Sequence, residues 1–110
     1  MSITADLIRG HTDTIILAKL MEHDSYGYEI NKEIYNASNK MYELKEATLY
    51  TAFKRLEDAG CISSYWGDQT TGARRKYYTI TNIGRETYNQ KIAEWLEAKR
   101  LLDTLLNTEG

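Results

Sequence analysis

Residues 46–80 of the chain read EATLYTAFKRLEDAGCISSYWGDQTTGARRKYYTI. The apolar residues Leu49, Phe53 and Leu56 are spaced four and three residues apart, which predicts an amphipathic helix over residues 46–59. Gly60 follows directly, in the position where many helices end on a residue with positive φ. The rest of the predicted fold is arranged around this helix.

Two strands are predicted after the helix. Residues 62–68 and 73–80 are rich in aromatic and β-branched side chains, and Gly72 lies between them, where a turn needs positive φ. The segment therefore predicts a β-hairpin. We expect Tyr77 and Tyr78 to pack this hairpin onto the helices.

The N-terminal half predicts two more helices. Residues 7–21 carry apolar side chains with a helical period, and Ser25 is a suitable N-cap for a helix over residues 26–37. A short extended segment at residues 41–44 precedes the helix at residues 46–59. The resulting order is helix, helix, short strand, helix, hairpin and long helix. It predicts a winged helix-turn-helix, which is an α+β fold with mostly helical content.

The long helix at the C-terminus begins after Thr81, which can cap it, and runs to about Asn107. Residues alternately four and three positions apart form the seam of a two-helix coiled coil: Tyr88, Ile92, Trp95, Lys99, Leu102 and Leu106. We interpret this helix as a dimerisation element; the alternative is that it folds back on its own domain. The predicted division is a winged-helix DNA-binding domain, residues 1–80, and a dimerisation helix, residues 81–110, in one compact unit.

Composition excludes several classes of protein. A chain of 110 residues is one domain, and no run of apolar residues is long enough to cross a membrane. A single cysteine and the absence of a signal-like start indicate the cytoplasm. Neither a catalytic set of residues nor a metal-binding cluster is visible, so we predict no enzyme, no metal and no cofactor. The net charge of −2 hides a local charge of +2 over residues 40–81.

Two groups of side chains are candidates for binding double-stranded DNA. The helix at residues 46–59 turns small, hydroxyl-bearing and basic side chains outward: Ala47, Thr48, Tyr50, Thr51, Lys54 and Arg55. The hairpin carries three consecutive cations for phosphates: Arg74, Arg75 and Lys76. The alternatives are a solvated helix face and a charged edge that prevents aggregation. Tyr26 and Tyr28, at the start of the second helix, are half-buried core residues or phosphate contacts, and we expect one of them to touch DNA.

The chain resembles the PadR family of transcriptional regulators over essentially its whole length. The segments that carry the resemblance are YGYEI at 26–30, EATLY at 46–50, KRLE at 54–57, GCI at 60–62 and GARRKYY at 72–78, with Thr81 and Gly84. The segment ISSYWGD at 62–68 is similar to multidrug-responsive repressors of the small subfamily. The resemblance implies a homodimeric winged-helix repressor that binds palindromic operators and is released by small aromatic molecules.

The same resemblance implies a ligand site at the dimer centre, where a tryptophan of the last helix stacks on flat aromatic molecules. Trp95 has that position, and its candidate neighbours are Tyr88, Ile92, Lys99, Leu7, His11 and Thr14. Lys99 departs from a pocket for cationic drugs, so we expect neutral or anionic aromatics to bind better. The alternative for Trp95 is a plain dimer anchor, and the alternative for the protein is an interaction module that uses its long amphipathic helix.

Overall fold

The structure is a computed structural model that describes residues 7–67 and 74–108. Its helices are α1 (Thr12–Glu22), α2 (Gly27–Ala37), α3 (Glu46–Asp58) and α4 (Asn82–Leu106), and its strands are β1 (Ser25–Tyr26), β2 (Ile62–Trp66) and β3 (Lys76–Ile80). The strands form one antiparallel sheet in the order β1-β3-β2. This confirms the predicted fold class. The predicted hairpin turn with Gly72 lies outside the described residues.

The third strand of the sheet is not where the sequence pattern predicts it. Residues 41–44 form no strand, and the strand that pairs with β3 is β1. Asn31 explains the difference, because its side chain donates to the Leu44 carbonyl at 2.7 Å and accepts from the Leu44 amide at 2.8 Å. The backbone amide and carbonyl of Leu44 are thus both hydrogen-bonded to a side chain, and they are not available for hydrogen bonds to a neighbouring strand.

Helices α1, α2 and α3 and one face of the sheet enclose the core. The ring of Phe53 stacks on Tyr78, with centroids 4.0 Å apart, and both residues are buried. Tyr78 therefore packs the hairpin onto the helices as expected. The expectation for Tyr77 is wrong: this residue lies on the opposite face, where it stacks on Tyr65 at 5.6 Å, because successive residues of a strand alternate between faces.

Two helix starts differ from the prediction. The helix predicted over residues 7–21 is interrupted at Gly10 and His11, and α1 begins at Thr12, whose hydroxyl donates to the Arg9 carbonyl at 2.8 Å. Ser25 does not cap α2, because it is buried in β1 and its hydroxyl donates to the Glu29 carboxylate. The N-cap residue is Tyr26.

The start of α4 agrees with the sequence prediction. Thr81 is the N-cap: its hydroxyl accepts from the Gly84 amide at 3.0 Å and donates to the Gly60 carbonyl at 2.6 Å. Gly60 has φ of 79°, as predicted for the residue that ends the preceding helix. The threonine side chain thus joins the start of α4 to the end of α3.

Replacing Thr81 by alanine removes both of these hydrogen bonds. Loss of an N-cap alone costs about 1 kcal/mol, and we expect Thr81→Ala to lower the free energy of unfolding by about 1–2 kcal/mol. Urea unfolding followed by circular dichroism measures this. Thr81→Ser, which keeps the hydroxyl, is the control. Equal losses in both variants would contradict the capping role.

Helix α4 extends past the core. Tyr88 packs against the core, whereas residues 93–102 are all exposed. The helix ends at Asn107, which has φ of 62°. Within the described residues, no helix combines the length and the apolar character needed to span a bilayer. The division into residues 1–80 and 81–110 stays a prediction.

Candidate nucleic-acid interface and effector site

Helix α3 presents its predicted contact face to solvent. Every member of the set Ala47, Thr48, Tyr50, Thr51, Lys54 and Arg55 is exposed. The face lies between two open grooves, one of about 350 Å³ that reaches Arg9 and Thr12, and one of about 420 Å³ shared with α2. The major groove of DNA is about 12 Å wide, which is enough to admit an α-helix.

The two cations at the far end of α3 already have acidic partners. Arg55 donates through Nε to Asp13 Oδ2 at 3.1 Å and through Nη2 to Oδ1, and these hydrogen bonds raise the pKa of Arg55. Lys54 Nζ lies 3.4 Å from Asp58 Oδ2. Exposed pairs of this kind contribute about 0–1 kcal/mol, so a phosphate can replace either carboxylate.

The cations of the hairpin are exposed, and they lie on both faces of the hairpin. Arg75 lies over the ring of Tyr26 at 4.8 Å, and Arg74 lies over Trp66 at 5.4 Å. Lys76 lies 5.7 Å from the ring of Tyr78 and is the strand partner of Trp66, so Lys76 and Arg74 share one face and Arg75 lies on the other. The alternation of side chains along a strand predicts this division between the faces. As a result, both faces of the hairpin carry positive charge that a phosphate backbone could contact.

The two tyrosines at the start of α2 are in different environments. Tyr26 is half-buried, edge-on to Tyr77 at 5.3 Å, whereas Tyr28 is 72% exposed. Tyr28 is therefore the one whose hydroxyl is available to a phosphate. Lys32 lines the same groove one turn further along α2 and was not among the predicted contacts. Its spacing of four residues from Tyr28 is the signal that identifies it in retrospect.

The predicted effector residues are brought only partly together. His11 contacts Trp95 edge to face, with ring centroids 5.1 Å apart, although the two residues are 84 positions apart in the sequence. Of the others, Thr14, Tyr88 and Ile92 are half-buried and Leu7 is 72% exposed. Lys99 Nζ lies 3.3 Å from Asp103 Oδ2.

The seam of α4 is open to solvent in the single chain. Trp95 is 43% exposed, Leu102 49% and Leu106 65%. Leu101 and Leu105 extend this apolar face and are also exposed. An uncovered row of large apolar side chains along one helix is typical of a protein-interaction face.

Residues 16–90 match the Transcriptional regulator PadR-like family, a span that includes α2, α3 and the whole sheet. The chain belongs to this family. PadR-family proteins are transcriptional regulators that bind DNA, and they are not a family of enzymes.

The relatives of this PadR-family chain include one protein of similar length. An uncharacterised protein of Lysinibacillus sphaericus is 45% identical over 104 residues, which are 94% of this chain and 95% of that protein. The negative transcriptional regulator PadR of Bacillus subtilis is 28% identical over 81 residues, 74% of this chain and 42% of that protein.

Solved structures share the same fold. A transcriptional regulator from Clostridium thermocellum is 50% identical, with a TM-score of 0.85 and coverage of 94% of this chain and 97% of that one. A PadR family regulator from Clostridium difficile is 38% identical, with a TM-score of 0.76 and coverage of 87% and 98%.

Proposed function

We propose that this PadR-family chain is a homodimeric repressor of transcription. In this proposal α3 enters the major groove of a palindromic operator, and the hairpin formed by β2 and β3 lies along the flanking backbone. A flat aromatic molecule beside Trp95 at the dimer interface then weakens operator binding. The observation that carries the proposal is that the contact face of α3 and the cations of the hairpin are both exposed.

The chemistry of the α3 face supports direct reading of bases. Ala47, Thr48 and Thr51 are short, so the helix can approach base edges closely, and threonine can donate, accept or offer a methyl group to thymine. The hairpin cations, with Tyr28 and Lys32 on α2, supply phosphate contacts that fix the orientation of the helix. Repression, rather than activation, is supported by the Bacillus subtilis relative, which is a negative regulator.

The proposal is tested by fluorescence anisotropy with a labelled duplex from the region upstream of the protein's own gene. A scrambled duplex is the control, and both are titrated over a series of salt concentrations. We expect the native duplex to bind at least about 10³-fold more tightly. Equal, weak binding of both duplexes, followed by an empty pull-down of genomic fragments, would contradict the proposal.

Dimerisation is proposed to occur along the exposed seam of α4. Two-fold symmetry would place two α3 helices about 34 Å apart, one turn of DNA. We expect Leu102→Glu, which puts a charge in the seam, to convert the dimer into a monomer at micromolar concentrations. Light scattering after size-exclusion chromatography measures the mass. Thr104→Glu, an exposed position of the same helix outside the seam, should leave the dimer intact, and a monomeric parent protein would refute the idea.

The effector is proposed to be a neutral or anionic aromatic molecule. The ring of Trp95 offers a stacking surface, His11 already contacts it, and Lys99 adds a positive charge one helical turn away. We expect an anionic dye to quench Trp95 fluorescence at lower concentration than a cationic dye of matched shape.

The dye titration is designed to isolate Trp95. It uses a Trp66→Phe background, so that Trp95 is the only tryptophan that emits. Lys99→Asp should reverse the preference between the dyes. Tighter binding of the cationic dye by the parent would overturn the proposed charge preference.

A further inference from the structure

Three potential metal ligands meet where α1 ends and α2 begins, outside both candidate surfaces. His23 follows directly after α1, and Glu29 and Glu33 lie one turn apart on one face of α2. One donor atom of each residue lies within 4.8 Å of the other two. None of the three belongs to the residues assigned above to DNA or effector binding.

The spacing of the closest pair fits tetrahedral coordination. His23 Nε2 lies 3.4 Å from Glu33 Oε2. In a tetrahedral zinc site with bonds of about 2.0–2.1 Å, neighbouring ligand atoms are separated by about 3.3–3.4 Å. Glu29 Oε1 lies 4.0 Å from Nδ1 of the ring, and a donor atom of Glu29 lies within 4.8 Å of the other two ligand atoms, so the third ligand needs a side-chain rotation.

The hydrogen bond of the imidazole selects the nitrogen that faces the carboxylate. His23 Nδ1 lies 2.8 Å from the carbonyl oxygen of Asp24, to which it donates. In the neutral ring, Nε2 then directs a lone pair towards Glu33 Oε2. Two acceptors face each other in that arrangement, and a proton or a metal ion between them would remove their repulsion.

A second observation concerns Glu33 itself. Its other oxygen, Oε1, is fully buried and has no hydrogen-bond partner, and within residues 7–67 and 74–108 no other side-chain nitrogen or oxygen is in this state. A buried carboxylate oxygen without a partner is costly. A cation bound to both carboxylate oxygens removes that cost, whereas a proton on His23 Nε2 reaches only Oε2.

We propose that His23, Glu29 and Glu33 bind a divalent transition metal ion, with zinc as the best match. One imidazole nitrogen and two carboxylates suit zinc, whereas magnesium and calcium prefer oxygen ligands alone. The outer groups are also present: Asp24 holds the imidazole, and the Ser25 hydroxyl donates to Glu29. A fourth position remains for water.

The binding test uses the full chain without a histidine tag, at pH 7.5, titrated with zinc chloride in a calorimeter. We expect one zinc ion per chain. Loss of an outer-shell partner alone costs roughly 10–100-fold in metal affinity. Because His23 and Glu33 are proposed as direct ligands, His23→Ala and Glu33→Gln should each weaken zinc binding at least tenfold. His11→Ala, which removes the other histidine, is the control and should bind as the parent does.

Two further measurements keep the test decisive. Thermal melts without zinc show whether each variant folds, and zinc should raise the melting temperature of the parent and of His11→Ala but not of His23→Ala. Cobalt in place of zinc should give the visible absorption of a tetrahedral site. Absence of saturable zinc binding in the parent, or equal binding by His23→Ala, overturns the proposal and leaves a protonated histidine between two carboxylates.

Discussion

Replacing Arg74, Arg75 and Lys76 together by alanine should lower operator affinity by about 100-fold at physiological salt. Each phosphate contact contributes about 0.9 to the slope of log affinity against log salt, so three lost contacts flatten that slope by roughly 2–3. At about 0.15 M salt, a difference of this size in slope corresponds to roughly two orders of magnitude in affinity. The three side chains are exposed, and their loss leaves the core unchanged.

The control for this experiment keeps the charge and changes the residue type. A variant with Arg74→Lys, Arg75→Lys and Lys76→Arg retains three cations, so it should retain most of the affinity and of the salt slope. Anisotropy across a salt series, with the operator and a scrambled duplex, measures both quantities. If the alanine variant keeps the parental slope, the cations serve to protect a sheet edge and do not contact DNA.

Replacing Gly84 by alanine should destabilise the fold strongly. Gly84 is buried in the first turn of α4, and a Cβ atom there would lie 2.1 Å from the Cys61 carbonyl oxygen and 2.7 Å from Ile80 Cγ1. That oxygen cannot easily move, because it accepts a hydrogen bond from the Thr81 amide at 3.0 Å. Overpacking of this kind costs about 1–3 kcal/mol, and the upper end is expected where the obstacle is backbone.

The melting temperature reports this cost. For a domain of this size about 2–3 kcal/mol corresponds to a decrease of roughly 10–20 °C. Gly10→Ala is the matched control, since a Cβ atom at Gly10 has nothing within 4 Å. Its melting temperature should stay close to that of the parent. A Gly84→Ala variant as stable as the parent would mean that the start of α4 shifts away from Cys61 at little cost.

Local chemistry accounts for what sequence patterns predicted well. The apolar spacing of Leu49, Phe53 and Leu56 identified α3, and all three side chains are buried. Gly60 and Thr81 were placed correctly because a positive φ and an N-cap are requirements of a single turn. The hairpin strands were identified from their aromatic and β-branched residues, which are also a local signal, although each strand is shorter than predicted.

Errors arose where a local preference competed with a distant partner. Ser25 has the chemistry of an N-cap, yet it is drawn into β1 by pairing with Tyr78. Residues 41–44 have a local preference for an extended conformation, but the Asn31 side chain forms hydrogen bonds with the Leu44 backbone groups that a strand would need. Neither partner is visible in a window of neighbouring residues.

Sequence patterns alone predict the order of the helices and the hairpin, the outward face of α3 and the position of the cations, because these depend on spacing within one helix or one hairpin. Tertiary packing brings Arg55 to Asp13 and His11 to Trp95. It also decided that the ring of His23 comes close to Glu29 and Glu33. Such contacts depend on how the elements pack, and packing is set by the shapes of many buried side chains together rather than by the spacing of a few.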